Sequence, residues 1–232
     1  MSETKLYIVR HGKTMFNTIG RAQGWSDTPL TKFGEAGIHE LGRGLKAAGI
    51  DFKASFSSDS GRTIQTIGII KEEMGLTHIP YMMDKRIREW CFGSLDGGYD
   101  GELFGGVLPR TDAYKGKTWE EMDFETMANG ILEVDTANWA EPWEVIRERI
   151  LTGFEDIAYS IEKQGGGNAL IVSHGLTIAT FCSLITPEKR PKELLDNGSV
   201  TTVTYKNGEF TLEKVGDMSY RQEGKKLIDA QK

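Results

Sequence analysis

Two short apolar runs in this sequence end in the same way: Leu6-Tyr7-Ile8-Val9 stops at Arg10-His11-Gly12, and Ala169-Leu170-Ile171-Val172 stops at Ser173-His174-Gly175. Near neutral pH an imidazole can attack as a nucleophile, move a proton or ligate a metal, and a guanidinium can fork onto two oxygens of a phosphate. One histidine at a strand end is as readily a packing residue as a reagent. Two of them, one preceded by arginine, point to chemistry. Arg62 follows the turn and cap residues Ser57-Ser58-Asp59, and Glu89 precedes Trp90-Cys91-Phe92-Gly93. Taken alone, Arg62 reads as a solvated helix residue and Glu89 as a salt-bridge partner of Arg86 or Arg88.

The elements that must position these groups alternate between strand and helix. Both apolar runs are short and unbroken, as strands buried on both faces are, and open α/β sheets bind ligands beyond the strands' carboxyl ends. Residues 12–30 carry loop chemistry. A helix over about 32–48 follows, N-capped by Thr31 and ended by Gly49, with glycines at 34, 37, 42 and 44 that suit close packing on a sheet. Residues 52–56 predict a second strand. A helix over about 60–74 then sets Arg62 in its first turn, where backbone N–H groups and the helix dipole favour an anion. Residues 77–82 predict a third strand.

Pro142 opens the clearest helix, whose stripe of Trp143, Ile146, Ile150, Phe154, Ile157 and Ile161 is core. A helix over 177–185, stopped by Pro187, follows the second His-Gly. Asn207-Gly208 joins residues 200–205 to 210–215 as a hairpin. From about residue 221 the chain reads as a frayed end or a surface helix. The pattern predicts an α/β protein: one domain over residues 1–232, a three-layer αβα sandwich with a mostly parallel central sheet, an antiparallel edge strand and an inserted lobe at about 99–140. A short helical stretch is expected near 119–127. Residues 119–144 hold eight acidic residues and no Lys or Arg, either a lid over the sheet's C-terminal edge or an acidic surface.

Composition narrows the partners. The net charge of −6, from 28 basic and 34 acidic residues, argues against a nucleic-acid or anionic membrane surface, so any phosphate-binding charge must be local. No run is long enough to span a bilayer, and Met1 to Lys5 lead straight into the first strand without a signal peptide. Cys91 and Cys182, the only cysteines, suggest neither a disulfide framework nor a zinc site. A cytoplasmic location is expected.

Arg10-His11-Gly12-Lys13-Thr14 with Asn17, then Ser57-Ser58-Asp59-Ser60-Gly61-Arg62-Thr63, then Glu89 with Phe92-Gly93, then Ser173-His174-Gly175 resemble, in that order, the histidine phosphatase superfamily, also called phosphoglycerate mutase-like. The resemblance implies that Arg10, Asn17, Arg62, His174 and Gly175 bind a phosphate. It also implies that His11 becomes a phosphohistidine and that Glu89 is general acid and then general base. Arginine charge favours the neutral imidazole needed for attack. A glutamate in that role needs a raised pKa, which a pocket lined by Trp90 and Phe92 would supply by desolvation.

Mutases of this fold usually follow the acid with Arg-His-Tyr-Gly and carry a paired Arg-Arg in the insertion. Here the acid is followed by Trp90-Cys91-Phe92-Gly93, and Arg110 has no arginine neighbour. The departure favours a metal-independent phosphatase acting on a small phosphorylated metabolite, with no cofactor and an apolar mouth made by Trp25, Trp90, Phe92 and Trp119. The rivals are a bisphosphoglycerate-dependent mutase, a non-catalytic phosphate-binding module, and a metal hydrolase using His11 and His174. The last is disfavoured because no nearby His, Asp or Glu cluster completes a metal shell.

Overall fold

Alternation along the first strand decides the layers. Leu6 and Ile8 turn to one side of the sheet and Tyr7 and Val9 to the other, and all are buried. The computed structural model describes residues 2–117, 122–186 and 195–231. In chain order the elements are β1 (Thr4–Arg10), α1 (Met15–Ile19), α2 (Lys32–Ala47), β2 (Phe52–Ser57), α3 (Gly61–Met74), β3 (Tyr81–Met83), α4 (Asp100–Glu102), α5 (Phe124–Val134), α6 (Trp143–Glu162), β4 (Gly167–Ser173), α7 (Gly175–Ile185), β5 (Val200–Lys206), β6 (Glu209–Asp217) and α8 (Ser219–Asp229). The strands form one sheet in the order β3-β2-β4-β1-β5-β6. β3, β2, β4 and β1 pair in parallel, and β5 is antiparallel to both β1 and β6.

Helices α2 and α3 cover the Tyr7 and Val9 side through Ile38, Leu41, Leu45, Ile67 and Ile70. Helices α6 and α7 cover the other side through Ile146, Ile150, Phe154, Ile157, Ile178 and Phe181. The architecture is the expected three-layer sandwich. Leu103, Leu108, Tyr114, Phe124 and Ile131, from residues 99–140, share the core of α6 and α7.

Several expectations shift, each for a local reason. Residues 12–30 are not all loop: α1 is held by a capping box in which Thr14 Oγ accepts from Asn17 N–H and Asn17 Oδ1 accepts from Thr14 N–H. β3 is shorter than 77–82, because Pro80 has no N–H and Leu76 and Ile79 plug the α2/α3 core as a turn. Gly130 lies inside α5, where a Cβ would stand 2.9 Å from the Tyr114 ring. The predicted 119–127 helix thus becomes Phe124–Val134, capped by Asp123. Trp119 and Pro187 fall outside the described residues.

The glycines of α2 do not meet the sheet. A Cβ on Gly44 would lie 1.7 Å from Tyr220 O, and one on Gly224 would lie 1.7 Å from Glu40 O, so α2 and α8 touch backbone to backbone. The chain end is therefore a docked helix rather than a frayed one. Four residues of the acidic run bond protein groups. Asp123 caps α5, Glu133 accepts from the N–H groups of Asp112 and Ala113, and Glu141 pairs with Arg149. Asp135 accepts from the N–H groups of Ser94, Ala137, Trp139 and Ala140, which hold its carboxyl below the usual range. Of these four, Asp135 is buried, Glu141 is half-buried, and Asp123 and Glu133 stay exposed at the surface.

Candidate active site

Sheet register brings the first groups together. Arg10 pairs with Ser173 and Ser57 with Val172, so β1, β4 and β2 end at one height and deliver His11, His174 and Ser58 side by side. His11 N–H donates to Ser173 O (3.1 Å) and Ser58 N–H to Val172 O (3.2 Å), which extends the ladder to these residues. The two imidazole centroids lie 5.3 Å apart. Gly12 must be glycine, since a Cβ there would stand 2.8 Å from Ile38.

The rings differ in what their nitrogens meet. His11 Nδ1 lies 2.8 Å from Gly12 O, which makes Nδ1 the N–H donor and leaves Nε2 with its lone pair; among the described residues no group bonds Nε2. His174 Nδ1 accepts from Arg62 Nη2 (2.9 Å), so its Nε2–H donates to Ser58 Oγ (2.7 Å). Both rings are buried, and burial together with the Arg62 and Arg10 charges holds them well below the usual histidine pKa. Both therefore stay neutral at pH 7.

Arg62 is fully buried. Its Nη1 donates to Ser26 O (2.9 Å) and Asp27 Oδ1 (2.9 Å), and its Nη2 also donates to Gly24 O (2.8 Å). The solvated-helix reading of Arg62 is thus overturned. Arg10 Nη1 donates to Leu195 O, and Gly175 lets the guanidinium lie close: a Cβ there would be 3.1 Å from Arg10 Nε. The Nε–H groups of both arginines are buried and, among the described residues, have no hydrogen-bond partner. Each such orphan costs on the order of 1–3 kcal/mol. Both guanidinium charges also bear on the His11 ring.

Glu89 makes no ion pair with its neighbours, because Arg86 is held by Asp84 and Asp156, and Arg88 by Asp59. Its Oε2 accepts from Leu176 N–H (3.0 Å), and its Oε1 from Thr177 N–H (2.9 Å), Thr177 Oγ1 (3.0 Å) and Trp90 N–H (3.1 Å). The carboxylate thus rests on the N-terminus of α7, one turn beyond His174. The expected apolar lining is absent from this arrangement. Trp90 turns into the core against Phe124 and Trp143, and Phe92 packs on Phe104. Trp25 does reach the rim: its Nε1–H donates to Glu89 O (3.1 Å), and it is half exposed under the Arg88 guanidinium.

The histidine phosphatase superfamily (branch 1) model matches residues 6–218. The chain belongs to that superfamily. It is 30% identical over 224 residues, 93% of this chain and 94% of the other, to the Klebsiella pneumoniae (strain 342) protein named "Probable phosphoglycerate mutase GpmB". A crystal structure of a phosphoglycerate mutase from Bacillus anthracis str. Sterne superimposes with a TM-score of 0.89 at 35% identity, covering 97% of each chain. The phosphoserine phosphatase of Entamoeba histolytica shares the fold, with a TM-score of 0.71 at 22% identity over 94% of this chain and 99% of that one.

In this superfamily member the metal-site alternative meets a physical obstacle: three of the four ring nitrogens are committed to protein partners, and two guanidiniums face the rings. Sequence reading also missed the residues that hold the site in place. Asp96 accepts from the N–H groups of Gly24, Trp25 and Ser26, fixing the loop whose carbonyls grip Arg62. Arg149 donates to the carbonyls of Arg86 (2.8 Å), Arg88 (2.8 Å) and Glu89 (3.0 Å) while pairing with Glu141. Asn197 reaches His11 and Asn17. None of these lies in a recognisable block; only the Thr14-x-x-Asn17 cap spacing carried a usable signal.

Proposed function

We propose that this protein is a phosphomonoester hydrolase that needs no metal and works through a phosphohistidine on His11. The observation that carries the reading is a neutral His11, with Nδ1 committed to Gly12 O, in the field of Arg10 and Arg62, whose buried Nε–H groups have no partner among the described residues. Arg10, Arg62, the Asn17 amide, His174 and the Gly175 backbone surround the transferring phosphoryl group. His11 Nε2 attacks phosphorus, the ester P–O bond breaks, and Glu89, having taken up the proton that a monoanionic phosphomonoester brings in, gives it to the departing oxygen. Water then attacks the phosphohistidine, Glu89 takes the water's proton, the P–N bond breaks and inorganic phosphate leaves.

The relatives' names support mutase chemistry as a second reading. A mutase also needs cations to hold the rest of a phosphoglycerate while phosphohistidine is kept from water. Here Arg88 is tied to Asp59, Arg86 to Asp84 and Asp156, Arg149 to Glu141, and Arg21 to Gly97 O and the Tyr99 ring. These four arginines are committed to the protein, which supports the hydrolase. The test is incubation with 3-phosphoglycerate after priming with the bisphosphate, following both isomers and free phosphate. The hydrolase reading expects phosphate release with little 2-phosphoglycerate. Rapid bisphosphate-dependent exchange that outpaces phosphate release would establish the mutase instead.

A further inference from the structure

Residues 195–199 wrap the end of β1. Arg10 Nη1 donates to Leu195 O, Gly198 N–H donates to Arg10 O (2.9 Å), and Arg10 N–H donates to Ser199 O (3.1 Å). Between them, Asn197 Nδ2 donates to His11 O (3.0 Å) and lies 3.2 Å from Asn17 Oδ1. An amide nitrogen carries two hydrogens, so one group serves both acceptors. Asn17 Oδ1 also accepts from Thr14 N–H (3.3 Å). With its oxygen facing two donors, the Asn17 amide has one favourable orientation, and its NH2 group is left for a ligand. A flipped amide would set NH2 against N–H and lose both bonds.

The wrap is itself braced. Gly198 adopts φ +77°, a turn suited to glycine, and Arg221 of α8 donates to Asn197 O (3.4 Å) while pairing with Glu40 of α2. Resting on the reading of this site as a phosphate pocket, we propose that Asn197 is a positioning residue. Its side-chain amide sets Asn17 so that N–H donors, and not the Asn17 oxygen, face the phosphate.

The experiment measures inorganic phosphate affinity by calorimetry in the full chain, in Asn197→Leu, in Asn17→Ala and in the double variant. Asn197→Leu removes the donors without adding charge. It should weaken phosphate about three- to tenfold, the worth of one oriented hydrogen bond. In the Asn17→Ala background the same change should shift affinity less than about twofold, because two residues that act through one contact are not additive. Equal losses in both backgrounds, or no loss in either, would overturn the proposal.

A measurement on the unaltered protein does not depend on the variants folding. The Asn17 side-chain N–H resonances, assigned by their disappearance in Asn17→Ala, should move on phosphate addition. Phosphate binding that leaves them unmoved overturns the positioning role while sparing the pocket. No phosphate binding at all by the unaltered protein sinks the pocket reading and this inference with it.

Discussion

His11 and His174 leave neighbouring parallel strands at one height, each between a polar or charged residue and a glycine, yet their surroundings give them different work. His11 commits one nitrogen to its own backbone neighbour and keeps the other lone pair; His174 is tied at both nitrogens, by Arg62 and Ser58. Equivalent placement in a sheet does not make equivalent reagents. The partner of the second ring nitrogen decides whether an imidazole can attack or only hold.

The largest expected effect breaks that pair apart. His11→Ala should abolish turnover, and the unaltered protein, quenched during turnover, should carry acid-labile, base-stable phosphate on His11 alone. His174→Gln, which can still accept from Arg62 and donate to Ser58, should lose on the order of 10²-fold in kcat but still label His11. Label found on His174, or survival of turnover in His11→Ala, would exchange the two roles.

A smaller effect separates Glu89 from the residues that hold it. Glu89→Gln keeps the size and cannot deliver a proton, so alkyl phosphates should lose roughly 10²–10⁴-fold while a nitrophenyl ester, whose oxygen leaves unaided, loses far less. Arg149→Met frees the three carbonyls that anchor residues 86–89 and removes the ion pair of Glu141, which keeps only the Cys91 N–H bond among the described residues. It should shift the same leaving-group ratio in the same direction, by about tenfold, because it acts through Glu89 placement. Equal losses on both esters would reduce Glu89 and Arg149 to structural roles.

What was legible in the sequence was whatever local chemistry encodes. The apolar runs of β1 and β4, the Thr31 cap of α2, the α6 stripe and the Asn207-Gly208 turn, with both residues at positive φ, each follow from neighbours a few positions apart. Three of the blocks, Arg10-His11, Ser57-Ser58 and Ser173-His174, stand at strand ends, whereas Glu89 follows β3 only after a short turn over residues 85–87. What stayed hidden depends on long-range direction. Trp90 is an aromatic beside Glu89 in sequence, but its ring leaves on the core side, so residue type alone misplaced it at the mouth. Asp96, Arg149 and Asn197 act across 70, 60 and 186 residues respectively, with partners that no spacing rule connects. The acidic run is largely surface, and the backbone N–H groups that Asp123, Glu133 and Asp135 accept from are invisible in a composition.

The smallest expected effect tests the shared property of the two histidines, their neutrality. Burial and guanidinium charge hold both rings well below the ordinary histidine pKa of about 6.5. In the unfolded chain each takes up a proton as pH falls through about 6.5, while the folded protein does not. The unfolded state then binds more protons, so stability rises with pH across the window between the folded and unfolded values. It is fully present above about 6.5 and lost as pH falls below it, by up to about 1.4 kcal/mol per pH unit for each histidine. Urea midpoints measured from about pH 8 down to about pH 5 should therefore fall, and the fall should be shallower in His11→Gln and in His174→Gln. The two variants should flatten the curve alike, since this effect depends on burial and charge and not on which nitrogen is free. A slope carried by one histidine alone would show that the other takes up its proton in the folded protein as readily as in the unfolded chain. It would then become a cation of the site as pH falls, and the contrast drawn from its ring partners would have to be rebuilt on charge.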